Sequence, residues 1–300
     1  QTSDGGYIIA GSTESFGAGG RDFLLVKIDS QGKVEWSRTF GGSGDDEAYS
    51  VQQTSDGGYI IAGYTESFGP GDIDFYLVKT DSQGMEEWSK TYGGDVNSVA
   101  YSVQQTSDGG YIVAGTTYGQ WARDNLYLVK MDLQGGEKWS KIYAEYEFCS
   151  IQQTFDGGYI VAGYRGIVSH LTKVDSQGST EWTEDYRMPN GRLLLKSIRR
   201  TSDGGYILLG DFLSDSIDIC LIKLTPERSA SVVPTTSPSS ISAPTDGGVR
   251  RTPYVNLYAD KTDVTLGEEV ILTLSTVNPI TSPGTLIINL SLYIPEEFSI

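Results

Sequence analysis

The sequence predicts an all-β fold that is built from five copies of one unit. Near-copies of TSDGGYIIAG occur at intervals of 52, 52, 48 and 47 residues, beginning at Thr2, Thr54, Thr106, Thr154 and Thr201. Each interval holds four short runs rich in Ile, Val, Tyr, Phe and Thr, the residues that favour β-strands. None of these runs has apolar residues at helical spacing over ten or more positions. The repeated unit is therefore predicted to be a small antiparallel sheet.

The second repeat shows the four predicted strands, which we label A to D. Strand A begins at Ala48, strand B at Tyr59, strand C at Asp74 and strand D at Glu86. Asp-Gly-Gly separates A from B, and Asp-Ser-Gln-Gly separates C from D, both of which are typical of tight turns. The B–C and D–A connections are longer and differ between copies. An antiparallel meander would therefore have one edge of uniform turns and an opposite edge of variable loops.

The apolar pattern indicates how the units pack together. Strand B is apolar on both faces, as in YIIA from Tyr59, so a sheet of about 50 residues cannot bury it alone. Radial stacking covers both faces, which predicts a β-propeller of four-stranded blades; a linear β-solenoid is the alternative. The first repeat lacks most of strand A, and the fifth lacks a Trp-bearing strand D. We therefore expect Gln1 to lie within a longer, multidomain chain.

The composition predicts three regions. Residues 1–228 hold the propeller repeats, and residues 229–251 are rich in Ser, Thr and Pro, as expected of an extended linker. Residues 252–300 include VILTLSTV and TLIINLSLYI, whose alternating apolar residues predict strands of a partial β-sandwich. Asn289 begins the glycosylation sequon Asn-Leu-Ser, which fits an exported protein.

The repeat TSDGGYIIAG, followed by DFYLVKTDSQG and EWSKTYGG, resembles the delta-60-like and related propeller repeats of secreted and surface-exposed bacterial and archaeal proteins. The resemblance covers residues 1 to about 225 and implies an extracellular β-propeller used for structure or binding. YVNLYADKTDVTLGEEVILTLSTVNP resembles the opening of immunoglobulin-like modules of prokaryotic surface proteins. Ring symmetry weakens in the fourth repeat, which has a short B–C loop, and in the fifth, where Arg199 and Arg200 replace the strand A glutamines.

Charge and composition argue against several function classes. The formal net charge is −17, and Lys and Arg are scattered, so nucleic acid is not an expected partner. A single histidine, His170, leaves little room for histidine catalysis or multi-histidine metal sites. Cys149 and Cys220 each replace a strand tyrosine and are expected to be buried, unreactive thiols. No apolar run is long enough to predict a membrane span.

The third B–C loop, in TTYGQWARDN, is the first candidate site. Trp121 has no aromatic counterpart in the other copies, and Tyr118 and Arg123 lie close to it in the sequence. Two aromatic rings and an arginine suit a sugar ring or a peptide. The alternative is a loop that folds its own aromatic residues onto the propeller.

An acidic D–A loop is a second, weaker candidate. GGSGDDEA from Gly41 matches a calcium-binding nonapeptide pattern once, and Asp45, Asp46 and Glu47 offer oxygen ligands for a hard cation. The equivalent loop of the next repeat, GGDVNSVA, lacks the motif, which functions in tandem copies. A solvated acidic loop is the alternative.

Other recurring residues are expected to be structural. One strand D position is always aromatic, and burying a tryptophan of about 200 Å² is worth roughly 5 kcal/mol, so we interpret these residues as blade-to-blade packing: Trp36, Trp88, Trp139 and Trp182. A polar residue at the start of strand C is expected to bond the backbone: Asp22, Asp74, Asn125 and Asp218. One glutamine of each strand A pair is expected to face the central channel: Gln52-Gln53, Gln104-Gln105 and Gln152-Gln153.

These observations favour a non-enzymatic extracellular or cell-surface protein that presents variable loops for adhesion or for binding a glycan or protein. No catalytic residue is assigned, and no cofactor is expected beyond the weak calcium candidate. One alternative is a carbohydrate-active propeller enzyme, a lyase or a glycoside hydrolase, which would need paired carboxylates or a Tyr/His/Arg group at one mouth of the channel. Another is a purely structural spacer of the cell envelope.

Overall fold

A computed structural model describes residues 1–118, 124–143, 147–186, 191–213 and 217–224, and the strands at 254–259, 270–277 and 284–290. The chain divides into two compact units: Gln1–Asp185 with Gly191–Arg228, and Tyr186–Asn190 with Ser229–Ile300. All regular structure in the described residues is β, which confirms the predicted fold class. Across these ranges, no helix has the length and apolarity that crossing a membrane requires.

The first unit contains five antiparallel sheets, which we number as blades 1 to 5. Blade 1 has three strands: β1 (Tyr7–Thr13), β2 (Asp22–Ile28) and β3 (Val34–Phe40). Blade 2 has four: β4 (Asp46–Gln53), β5 (Tyr59–Thr65), β6 (Asp74–Thr80) and β7 (Glu86–Tyr92). Blade 3 has four: β8 (Asn97–Gln105), β9 (Tyr111–Tyr118), β10 (Asn125–Met131) and β11 (Glu137–Tyr143). Each is a meander in which sequential strands pair.

The last two blades follow the same plan. Blade 4 has four strands: β12 (Phe148–Gln153), β13 (Tyr159–Arg165), β14 (Val168–Val174) and β15 (Thr180–Tyr186). Blade 5 has three: β16 (Arg192–Arg200), β17 (Tyr206–Leu213) and β18 (Ile217–Leu224). The predicted incomplete first and fifth repeats therefore correspond to three-stranded blades among the described residues.

Strand A is the innermost strand, and side chains join it to the next blade. The A strands β4, β8, β12 and β16 contact one another in succession. The Ser50 hydroxyl accepts a hydrogen bond from Val103 N at 3.2 Å, and the Ser102 hydroxyl accepts one from Ile151 N at the same distance. These bonds satisfy backbone amides that face the axis instead of a partner strand. The radial arrangement confirms the predicted β-propeller.

The apolar core lies between blades rather than within one. Strand B tyrosines that face the preceding blade are at most 1% exposed, namely Tyr59, Tyr111 and Tyr159. A strand D tryptophan of the preceding blade meets each of them edge to face at ring distances of 5.8, 5.8 and 6.1 Å, namely Trp36, Trp88 and Trp139. This geometry is favourable for aromatic rings. It confirms the prediction that these three tryptophans pack blade against blade.

The repeated TSDGG turn holds a buried lysine in addition to forming the bend. Lys79 on strand C is 1% exposed, and its ammonium group lies 2.9 Å from Asp56 Oδ2 and 2.8 Å from Glu87 Oε2. Asp56 Oδ1 accepts hydrogen bonds from the Thr54 hydroxyl and from Gly58 N. The same strand C lysine meets the turn aspartate in the other blades: Lys27–Asp4, Lys130–Asp108, Lys173–Asp156 and Lys223–Asp203.

These contacts keep the turn aspartates ionised. Burial raises the pKa of Asp56, but the hydrogen bonds from Thr54 and Lys79 outweigh it and lower the pKa to about 2. Asp156 behaves in the same way, with burial opposed by Lys173 and Thr154, and its pKa is also lowered to about 2. Each buried lysine therefore faces a carboxylate that stays charged at neutral pH.

The second unit contains one described antiparallel sheet. Its order is β19–β20–β21, and its strands are β19 (Tyr254–Ala259), β20 (Val270–Val277) and β21 (Gly284–Leu290). The two runs with alternating apolar residues are thus strands, as predicted. The immunoglobulin-like identity of this unit remains a prediction.

The contact between blades 1 and 2 predicts that alanine destabilises the protein by different amounts at two equivalent glycines. Gly84 and Gly32 occupy the same C–D turn position in successive blades, with φ of +75° and +82°. Alanine at either position is expected to cost about 1 kcal/mol for its left-handed backbone. A Cβ at Gly84 would also lie 2.6 Å from Trp36 Cζ3, whereas one at Gly32 would meet nothing within 4 Å. We expect Gly84→Ala to cost a further 1 to 3 kcal/mol or so in urea unfolding, and equal losses would contradict the packing described.

The turn ion pair predicts a pH-dependent loss in the variant Asp56→Asn. Because Asp56 is half exposed, we expect the substitution to lower the free energy of unfolding of the protein by only about 1 kcal/mol at pH 7. The folded pKa of about 2 lies below the ordinary value of 3.8, so the stabilisation is present above about pH 4 and is lost as the pH falls through 2. Urea unfolding should show the difference between parent and variant shrinking over this range.

A matched control for that experiment is Glu86→Gln, which removes one negative charge from an exposed position on strand D of the same blade. Its effect should be small and nearly constant over the same pH range, because the structure places no buried lysine against it. If both variants show the same pH dependence, the loss reflects net charge rather than the Lys79 contact.

Candidate functional site

The strongest candidate site begins with an irregularity that the repeat pattern did not predict. The A–B pairing in blade 2 shifts between Ala48 and Ser50, and the pairing in blade 3 shifts between Ala100 and Ser102. Each shift is a β-bulge, which leaves one extra residue on the innermost strand and turns its side chain out of the regular alternation. The extra residues are Tyr49 and Tyr101. Both lie towards the edge that carries the variable loops.

Four tyrosines meet at this edge, and we call Tyr49, Tyr64, Tyr101 and Tyr118 the tyrosine cluster. The ring of Tyr49 lies 5.5 Å from that of Tyr101 and 6.1 Å from that of Tyr64. The Tyr101 and Tyr118 hydroxyl oxygens are 2.6 Å apart and share a hydrogen bond. The cluster draws on strands A and B of two successive blades. Tyr49 is its most accessible member, at 47% exposure.

A charged pair borders the cluster. Glu47 accepts a hydrogen bond from the Tyr49 hydroxyl at 3.0 Å and forms an ion pair with Arg21, which also contacts Glu14 at 2.9 Å. Glu47 thereby links the aromatic surface to the loops of blade 1. Glu47 also hydrogen-bonds Tyr64, and its carboxylate has acceptor capacity beyond these three partners.

The same surroundings keep the tyrosines protonated. Burial and the hydrogen bond to Glu47 raise the pKa of Tyr49 well above its usual range. Burial and the nearby charge of Glu47 raise the pKa of Tyr64 to about 12. At neutral pH both side chains are therefore neutral phenols, whose hydroxyl groups bond Glu47 and whose rings offer flat apolar faces.

Blade 5 has a bulge at the equivalent position, between Leu195 and Ser197, and it presents Lys196 in place of a tyrosine. The ammonium group of Lys196 lies 4.9 Å above the ring of Tyr164 and 3.4 Å from its hydroxyl. Strand A of blade 4 pairs with strand B without a shift. The bulge residue is therefore a tyrosine in blades 2 and 3 and a lysine in blade 5, so the propeller is not symmetric at this edge.

The structure places one member of the predicted loop site. Tyr118, the last residue of β9, belongs to the tyrosine cluster through its contact with Tyr101. Trp121 and Arg123 lie outside the described residues, so their role stays a prediction. Sequence reasoning singled out Tyr118 because of its neighbour Trp121. It missed Tyr49 and Tyr101, whose only signal was a tyrosine before serine in strand A of two copies.

The acidic candidates of the first D–A loop point in different directions. Asp45 Oδ1 accepts a hydrogen bond from Arg21 N at 2.9 Å, Glu47 pairs with the Arg21 guanidinium, and Asp46 is fully buried. Adjacent residues of a strand face opposite sides, which separates Asp46 from Glu47. Across the described part of the chain, no three His, Cys, Asp or Glu residues are grouped to hold a metal. The interpretation as a solvated acidic loop is therefore wrong for Asp46, and the three residues do not form one ligand set.

The central channel is lined by strand A glutamines, as predicted, together with one arginine. Gln52, Gln104, Gln152 and Arg199 all face the same cavity. Gln52 Oε1 accepts a hydrogen bond from Gln105 N at 2.6 Å, so this amide ties blade 2 to blade 3. The channel glutamines therefore join neighbouring blades as well as lining the channel.

The remaining sequence candidates are structural. Asp22 and Asp74 accept hydrogen bonds from loop amides, Ala18 N at 3.0 Å and Gly71 N at 2.9 Å, as predicted. His170 Nδ1 lies 2.7 Å from Asp185 Oδ1 on the adjacent strand. Cys220 is buried, and burial raises the pKa of its thiol, which fits the expected unreactive residue.

Comparison with solved structures finds proteins of similar fold. A protein of unknown function from Dyadobacter fermentans DSM 18053 is 16% identical with a TM-score of 0.53, over 95% of this chain and 91% of that one. One from Bacteroides caccae is 12% identical with a TM-score of 0.48, over 76% and 75%. The Dos1 propeller is 10% identical with a TM-score of 0.42, over 90% and 66%. No protein-family model and no curated protein matches the sequence.

At these identities the likeness concerns the fold alone. The coordinates themselves show meandering antiparallel blades that are arranged around an axis, with strand A innermost. The chain is a β-propeller protein.

Proposed function

We propose that this β-propeller is a non-enzymatic binding protein that takes a neutral glycan on the tyrosine cluster. The observation that carries the proposal is the meeting of Tyr49, Tyr64, Tyr101 and Tyr118 at the edge with variable loops. Binding surfaces on propellers and other rigid scaffolds are typically formed by variable loops at one end.

The chemistry of the cluster suits a sugar ring. Aromatic rings stack on the apolar faces of pyranoses, and phenol hydroxyls and a carboxylate bond the sugar hydroxyls at the rim. Tyr49 offers an exposed ring, and Glu47 lies beside it as a charged acceptor. A ligand bound there would contact mainly strand residues, which are rigid, and would contact loop residues at its edge.

The titration behaviour supports binding rather than catalysis at this cluster. A tyrosine that removes a proton from a sugar, as in some lyases, needs a lowered pKa. Here burial and Glu47 raise the pKa of both Tyr49 and Tyr64. The cluster is therefore suited to binding through neutral aromatic faces and phenol oxygens that accept hydrogen bonds.

Charge and sequence context extend the proposal to ligand class and location. The formal net charge of −17 disfavours acidic polysaccharides, which leaves neutral glycans as the preferred class. The Ser/Thr/Pro-rich region 229–251, the sequon at Asn289 and the resemblance to surface-protein repeats support an extracellular or cell-surface location within a larger chain.

A glycan array followed by calorimetric titration with the best neutral oligosaccharide tests this proposal. We expect Tyr49→Ala to weaken binding about tenfold, because one stacking contact is lost. The matched control is Tyr7→Ala, a tyrosine of similar exposure, at 44%, on strand B of blade 1. It should bind like the parent.

Four outcomes would contradict the proposal. If Tyr49→Ala binds as well as the parent, the cluster is not the site. If the array is silent and a peptide array is not, the ligand is a protein. If the bound oligosaccharide is shortened or acquires an unsaturated end, the protein is a carbohydrate-active enzyme; silence on both arrays favours the structural spacer.

A further inference from the structure

Two buried carboxylates lie at the junction between blades 1 and 2. Asp22 is the first residue of β2 and is 1% exposed, and Asp46 is the first residue of β4 and is fully buried. The strand starts are tied together, since Asp46 N donates a hydrogen bond to Arg21 O at 2.7 Å. Both side chains lie below the surface of the edge that carries the variable loops.

The hydrogen bonds of these carboxylates leave one oxygen atom, on Asp46, without a donor. Asp22 Oδ2 accepts from Ala18 N at 3.0 Å. Asp46 Oδ2 accepts from Gly42 N at 2.8 Å and from the Ser67 hydroxyl at 2.7 Å. Asp46 Oδ1 is buried and has no hydrogen-bond partner in the structure. An orphaned carboxylate oxygen in a protein interior is costly and calls for a proton or a cation.

The two side chains approach the same space. A Cβ built on Gly41 would lie 2.6 Å from Asp46 Oδ2 and closer still to Asp22 Oδ1. Both carboxylate oxygens therefore pack against the Cα of Gly41, where only glycine fits, and the two negative groups lie close enough together to bind a single ion. Two neighbouring buried carboxylates repel each other strongly, and one proton shared between them still leaves a negative charge that a cation can compensate.

No basic side chain supplies that charge in the described part of the chain. Arg21, which precedes Asp22 in the sequence, is directed to Glu14 and Glu47 instead. The Ser67 hydroxyl and the backbone of the glycine-rich loops 17–20 and 41–44 surround the pair. These are neutral oxygen and nitrogen groups, and oxygen is what hard cations prefer.

We propose that Asp22 and Asp46 bind one calcium ion between blades 1 and 2. Calcium fits better than magnesium because it accepts irregular sets of side-chain and backbone oxygens at 2.3–2.6 Å or so, whereas magnesium requires a near-ideal octahedron and retains water. The site differs from the acidic trio that the sequence suggested, since it shares only Asp46 with it. A calcium ion bound there would fix the start of β4, which leads directly into Glu47 and Tyr49.

The next junction provides an internal comparison. Asp74 occupies the position of Asp22, but Ser98 replaces Asp46, and both are fully buried. Asp74 Oδ1 is also without a hydrogen-bond partner, and burial raises the pKa of Asp74. A single carboxyl can meet this cost by taking up a proton. Two adjacent carboxylates carry the additional repulsion, so we assign calcium to the first junction only.

Calorimetric titration of the full chain with CaCl₂, after treatment with a chelator, tests the site. We expect one calcium ion per chain, at least tenfold weaker binding of MgCl₂, and a rise in the unfolding temperature of about 5 °C at saturating calcium. Asp46→Asn, which keeps the shape and the acceptor oxygen, should abolish both the binding and the rise. Asp22→Asn should do the same.

The controls are two further aspartates. Asp45→Asn alters the adjacent acidic residue and Asp74→Asn alters the equivalent residue of the next junction; both should keep the calcium response. Circular dichroism in the presence of chelator shows whether each variant folds. If Asp46→Asn does not fold, Asp22→Asn takes its place in the test. The proposal is wrong if the parent binds no calcium at millimolar concentration, or if Asp46→Asn still responds. It is also wrong if Asp74→Asn or Asp45→Asn abolishes the response.

Discussion

The structure depends on one constraint, which is that each blade is apolar on both faces and must be covered on both sides by other blades. Strand B of blades 2 to 4 is almost entirely buried, and the strand D tryptophans Trp36, Trp88 and Trp139 each cap a tyrosine of the following blade. Tyr7, which has no such cap among the described residues, is 44% exposed. The hydrophobic free energy of folding therefore resides at the junctions, as in other repeat proteins.

The same constraint decides where polar groups can be buried. At the edge of uniform turns, each strand C lysine enters the junction and is held by the aspartate of the TSDGG turn, as for Lys79 and Asp56. Around the channel, serine and glutamine side chains accept backbone hydrogen bonds from the next blade. Both devices repeat because the geometry of the junction repeats. Buried polar groups need partners: the lysine finds them in its own blade, and the serines and glutamines find them in the next.

The edge with variable loops is where this regularity ends and function is proposed. The tyrosine cluster and the proposed calcium site lie on the same strand, since Asp46 begins β4 and both Glu47 and Tyr49 follow within three residues. An ion that fixes the start of β4 would also hold the bulge that presents Tyr49. The two proposals stand on different observations and are tested by different ligands.

The sequence by itself determined the local structure: the strands, the tight turns and the number of repeats, because hairpins and alternating apolar residues depend on neighbours in the chain. It also indicated the radial packing, and it identified Tyr118. Only the tertiary structure decided that Tyr49 meets Tyr101 and that Asp22 lies close to Asp46, because both pairs cross a blade junction and the two tyrosines depend on bulges without a clear sequence signal. Long-range contacts of this kind follow from how blades stack, which no single repeat encodes.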